Sequence, residues 1–207
     1  GQLRRALGLY DALKGYFSVS QYLPVAAMLL AEETEKSRYA ETAARCRRIY
    51  DLMKAEHPFL TSGEDSIFAA LLALSPRPEE ETVEETEGCY RLLKPAFFSA
   101  NAVQSLSHVL ALGEYPAEEK CQRTMGLYQG LKDRGYKYGT EYELATLGVL
   151  ALLPEEPEAI IENVIQADDY LSGQSGYGLL GLGRKQRLMH AGMLVSAGYR
   201  EQASEHA

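Results

Sequence analysis

The stretch ETAARCRRIYDLMK, Glu41 to Lys54, decides the reading of this chain. Ala44, Ile49, Leu52 and Met53 recur at helical spacing on one side, with arginines opposite, which predicts an amphipathic surface helix. Its end, YDLMK from Tyr50, has counterparts in YDALK from Tyr10, YRLLK from Tyr90, YQGLK from Tyr128 and a degenerate YLSGQ from Tyr170. The intervals between these tyrosines are 40, 40, 38 and 42 residues. A second series alternates with the first: VAAMLLA from Val25, FAALLAL from Phe68, LSHVLAL from Leu106, TLGVLAL from Thr146 and, more loosely, HAGMLVS from His190. The repeating unit is therefore about 40 residues in two parts.

Each part reads as a helix. The tyrosine-bearing kind, type B, is amphipathic and carries lysine near its end, where it suits the negative pole of the helix dipole. Gly15, Pro58, Pro95, Gly135 and Gly173 follow as stop signals. The other kind, type A, is apolar nearly all round and rich in small residues such as Ala69, Ala70, Ala73 and Gly148, as a helix buried on several sides would be. Capping boxes mark its starts at Ser62-Gly-Glu-Asp65 and Thr140-Glu-Tyr-Glu143, and Ser99 is the expected cap of the third. Phe17, Leu60, Phe98 and Tyr138 stand just before these starts as hydrophobic staples. Nothing alternates as a strand would.

The expectation is an all-α chain of about ten helices: tandem helical hairpins of about 40 residues, wound as an α/α superhelix (solenoid) or as an α/α-toroid-like array. The repeats fall near 16–57, 58–95, 96–135, 136–176 and 177–207, after a partial unit at 1–15, all within one domain of 207 residues. Leu71, Leu110 and Leu150 are expected to be buried in equivalent places, and Tyr50, Tyr90 and Tyr128 to be partly buried in register. The chain opens on a B helix with no A partner, which reads as part of a longer array.

Composition limits the function classes. A net charge of -8 disfavours a nucleic-acid or anionic-membrane surface. Cys46, Cys89 and Cys121 lack metal-ligand spacing and read as free thiols in a reducing compartment, so the expected location is the cytoplasm. No apolar run reaches the roughly 18–20 residues of a membrane span.

The runs EHPFLTSGEDSIFAALLALS, FFSANAVQSLSHVLALGE and YGTEYELATLGVLALLP resemble a bacterial family of uncharacterised all-helical proteins, and VSQYLPVAAMLLAEE is similar to that family's preceding repeat. The resemblance implies relatives longer than this chain. It implies no activity, cofactor or catalytic residue.

Candidate sites are sparse. His57, His108, His190 and His206 fall in different repeats without metal-ligand spacing, and no cofactor or metal is expected. Glu64/Asp65 and Glu141/Glu143 could act as acids or ligands, but sit where helix starts attract carboxylates. GRKQR from Gly183 is the local basic cluster, either a solvated face or a helix start that meets an acidic partner, and GYGLLGLG lacks the strand and the Lys-Ser/Thr of a phosphate loop. The third A helix differs from its counterparts: Asn101, Gln104, Ser105 and His108 stand at i, i+3, i+4 and i+7 and so share one face. One reading is a satisfied buried network; the other is a small polar ligand or peptide groove centred on His108, with Asp65 and Glu143 at its rim. The function expected is binding or scaffolding of a protein or peptide partner, the alternative being an α/α-toroid enzyme with a polar pocket around His108.

Overall fold

A computed structural model describes residues 1–177 and 181–205 of the chain. Among them are ten α-helices and no strand: α1 (Gln2–Leu13), α2 (Leu23–Glu33), α3 (Tyr39–Glu56), α4 (Asp65–Ala73), α5 (Glu79–Leu93), α6 (Ala100–Ala111), α7 (Ala117–Asp133), α8 (Leu144–Ala151), α9 (Pro157–Ser172) and α10 (Arg184–Glu205). The all-α expectation thus holds. The chain divides into two compact units, Gly1–Glu87 and Gly88–Ala207, with the boundary inside α5.

In the first unit α1 packs on α2 and α3, α3 packs on α4, and α2 packs on α4. The pairing follows from the two kinds of helix face. α3 buries Thr42, Ala43, Cys46, Ile49, Tyr50 and Met53, a stripe at helical spacing, and leaves its charged face wet. α4 is only nine residues long yet buries six of them. Its small side chains, Ala69, Ala70 and Ala73, allow close approach.

The second unit repeats the logic. α6 packs along α8, α8 along α10, α7 against α8 and α9, and α9 against α10. Its core gathers Leu106, Leu110, Leu147, Leu150, Ile160 and Val164 among others. Gly148 lets α8 approach α6, because a Cβ there would stand 2.8 Å from Leu106 Cδ1 and 3.2 Å from Val109 Cγ1. α7 ends as the sequence indicated: Gly135 takes φ +89°, and the Tyr136 N–H donates back to the Leu131 carbonyl at 2.9 Å. A left-handed residue there lets the chain turn while covering a free helix carbonyl.

Two expectations about individual residues need correction. Leu71 is only half-buried, whereas Leu72 is completely buried. The buried pair before the end of each short apolar helix is Leu30–Ala31, Leu72–Ala73, Leu110–Ala111 and Leu150–Ala151. The leucine sharing a place with Leu110 and Leu150 is therefore Leu72, which the alanine register places directly. Phe98 is not a staple either: it lies in solvent, and Phe97 packs inward with its ring edge-on to Tyr128 at 5.2 Å. The extended residue after the short 3-10 turn at Lys94–Ala96 is Phe97, so it is Phe97 that points to the core.

The tyrosines behave as structural pieces where they pack. Tyr50 meets Phe17 edge-on at 5.5 Å and donates its hydroxyl to the Ser62 carbonyl at 3.2 Å. Tyr90 and Tyr128 are half-buried, and Tyr170 is exposed. Ring bodies inside and hydroxyls at a polar edge are what amphipathic aromatics favour.

Candidate functional site

The polar stripe of α6 begins at its cap. Ser99 Oγ accepts the Ala102 N–H at 3.4 Å, so the helix starts where the sequence places it. From there the stripe runs inward. Asn101 is exposed and Ser105 half-buried, while Gln104 and His108 keep only 3% and 1% of their surface. Gln104 and His108 are both engaged inside the fold. Ser107, beside them, returns its hydroxyl to the Val103 carbonyl at 2.7 Å.

The two acids assigned to the rim are held by their own helix starts. Asp65 lies in the first unit and accepts the Ser62 N–H at 2.7 Å. Glu143 lies in the second unit with His108, accepts the Glu141 N–H at 3.2 Å and folds its carboxyl over Gly139. Each carboxylate thus closes a capping turn and receives the free N–H groups there. The other histidines are also placed by partners: His57 Nε2 lies 3.0 Å from a Glu87 carboxylate oxygen, and His190 Nδ1 lies 2.8 Å from the Tyr177 hydroxyl. His206 and the centre of GYGLLGLG lie outside the described residues. Among the described residues no group of three or more His, Cys, Asp or Glu is placed to hold a metal ion.

Burial raises the Asp65 carboxyl above the ordinary aspartate range, against the Ser62 N–H, which pulls the other way. The folded state therefore holds that proton more tightly than the unfolded chain. The stabilisation from the neutral acid is present below the unfolded value, about 3.9, and is lost as pH rises through the folded one. Relative to wild type, Asp65→Asn should gain stability as pH rises through that window and then level off. Urea unfolding of both proteins across the window measures it, and a constant difference would contradict the assignment.

Sequence reasoning missed a set of arginines. Arg123 on α7 donates to the carbonyls of Ala151, Leu153 and Glu155 at 2.9, 2.7 and 2.8 Å, gathering the end of α8 and the turn beyond it. Arg45 on α3 does the same for Ala73, Ser75 and Arg77 after α4. Arg5 on α1 reaches the carbonyls of Glu32 and Thr34 at the end of α2. A planar guanidinium satisfies several diverging carbonyls at once and neutralises the helix C-terminus. The signal was present: each arginine stands five residues before its type B tyrosine, at Tyr10, Tyr50 and Tyr128. On α5, five residues before Tyr90, that place is held by Glu85. After α6 it is the fully buried Lys120 of α7 that donates, to the Gly113 carbonyl at 3.2 Å.

Phe59 and Phe98 stand in the loops before α4 and α6, 100% and 98% exposed. A cavity of about 500 Å³ opens where the turn after α7, the end of α9 and the start of α10 meet, and Arg187 of the basic cluster lines it.

An all-α protein built from amphipathic and short apolar helices, with arginines gathering the ends of the apolar ones, is the class these observations define. The chain belongs to the family described as "Protein of unknown function (DUF4003)", whose family model matches residues 2–206. No curated protein and no solved structure matches the chain.

Proposed function

We propose that this chain is a helical-repeat protein that binds a protein or peptide partner. The observation that carries the reading is the pair Phe59 and Phe98. Each is almost wholly in solvent, Phe59 in the loop before α4 of the first unit and Phe98 in the loop before α6 of the second. A phenylalanine left wet forgoes the stabilisation that burial would give, about 1.5–3 kcal/mol. Phenylalanine is among the aromatic side chains enriched in protein interfaces relative to the rest of the surface. Repetition is supported by the buried Leu–Ala pairs and by the arginines of α1, α3 and α7. The same reading places the chain in the cytoplasm, in keeping with its three buried free thiols. No described helix is long and apolar enough to cross a membrane.

A photo-cross-linking amino acid in place of Phe98, irradiated in the native cells, should yield a discrete adduct with a second polypeptide. The same group at the exposed Gln122 should not. With the partner identified by mass, the double variant Phe59→Ser/Phe98→Ser should bind it at least about tenfold more weakly at an unchanged melting temperature. Equal labelling from both positions, or unchanged affinity in the double variant, would overturn the reading.

A further inference from the structure

The chain carries 29 acidic and 21 basic residues, yet one cavity of about 500 Å³ in the second unit is lined by four cations. Lys137 comes from the turn after α7, and Arg184, Lys185 and Arg187 come from the first turn of α10. Two carboxylates of α9 share the wall, and both are engaged. Asp168, nearly fully buried, takes Arg187 in a two-point pair, with Arg187 Nε donating to one oxygen and a terminal nitrogen to the other at 2.9 Å each. Asp169 accepts the Tyr136 hydroxyl at 2.8 Å.

The pair of Asp168 and Arg187 is neutral and anchors the first turn of α10 to α9. It holds the start of α10, which carries Arg184 and Lys185, beside α9. Lys137, Arg184 and Lys185 are exposed and form no ion pair among the described residues. Against them stands one carboxylate, Asp169, so the cavity wall keeps a surplus of two positive charges. Arg184 and Lys185 stand in the first turn of α10, where the positive pole of the helix dipole adds to their field. Like charges gathered around a concavity repel one another, and that repulsion is relieved when an anion occupies the centre. Arg184 offers a planar fork suited to phosphate oxygens, and the two lysines offer mobile point charges. Asp169 retains acceptor capacity for a hydroxyl beside the anion.

We propose that this cavity binds a phosphate monoester, with Lys137, Arg184 and Lys185 holding the phosphoryl oxygens and Asp169 accepting a neighbouring hydroxyl or amide. Arg187 is a positioning residue, held by Asp168. The proposal is independent of the phenylalanine pair and of any partner docking there. The ester comes either from a small phosphorylated metabolite or from a phosphorylated side chain.

Isothermal titration of the full chain with inorganic phosphate tests the charge, with sodium chloride at matched ionic strength as the control. Saturable binding is expected for phosphate alone, weakened at least about tenfold in Lys137→Gln/Arg184→Gln/Lys185→Gln. All three side chains are exposed, so circular dichroism and the melting temperature should be unchanged. Absence of saturation, or equal affinity in the triple variant, would overturn the proposal. Glycerol 3-phosphate and a phosphoserine peptide then separate the two sources: whichever binds more tightly than inorganic phosphate identifies its own. If neither does, the assignment to a monoester fails.

Discussion

Leu110→Ala and Leu150→Ala should each lower the free energy of unfolding by about 2–5 kcal/mol, and Leu72→Ala should fall in the same range. All three leucines are fully or almost fully buried at the ends of α6, α8 and α4. Truncation removes apolar burial and leaves a cavity that close-packed neighbours cannot fill. Gly148 already brings α8 against Leu106 and Val109 of α6, so little slack remains for collapse around Leu110 and Leu150. The contrast within one helix is the sharper test. Leu71→Ala, one residue away and half-buried, should cost well under the Leu72 change. Urea unfolding of the four variants reads the result. Equal losses at positions 71 and 72 would mean that the alanine register of the apolar helices is not the packing register.

Arg123→Ala should cost about 2–4 kcal/mol, the second large effect. One guanidinium serves three carbonyls at the end of α8; a hydrogen bond to a charged group contributes about 1.5–3 kcal/mol net, and at this half-buried site water replaces part of the three bonds once the side chain is gone. The side chain also lies over the Tyr115 ring at 5.9 Å, which adds packing that alanine removes. Arg123→Lys should recover less than half of the loss, because an ammonium group is a point donor and cannot span three diverging carbonyls. Arg45→Ala should show the same pattern in the first unit, where the corresponding carbonyls belong to Ala73, Ser75 and Arg77. A loss below about 0.5 kcal/mol at both positions would make these bonds ornaments of the surface, as exposed polar contacts commonly are.

Much of the candidate chemistry was visible as residue types and invisible as geometry. The stripe Asn101, Gln104, Ser105 and His108 could be placed on one helical face from spacing alone. Spacing could not say that the face passes from water at Asn101 to the interior at His108, because that depends on which helices cover it. Asp65 and Glu143 were legible as acids at helix starts, and their carboxylates do close those turns. The basic run before Leu188 was legible as a cluster. Its division into Arg187, tied to Asp168, and the uncommitted Arg184 and Lys185 required α9 and α10 to be side by side.

Sequence by itself determined the helices, their two kinds and their ends. Those are local properties: periodicity near 3.6, caps such as Ser99, and stops such as Gly135 act within a few residues of chain. It also held, unread, the arginines five residues before the tyrosines, since their partners lie 28 to 32 residues away at Arg45 and Arg123. Only the tertiary structure decided which of two adjacent residues turns inward, Leu72 over Leu71 and Phe97 over Phe98. Neighbours in sequence differ there only by a rotation about the helix axis or a single extended residue. Local propensity is nearly blind to such a difference, and the packing of a dense interior against a neighbouring helix selects one orientation.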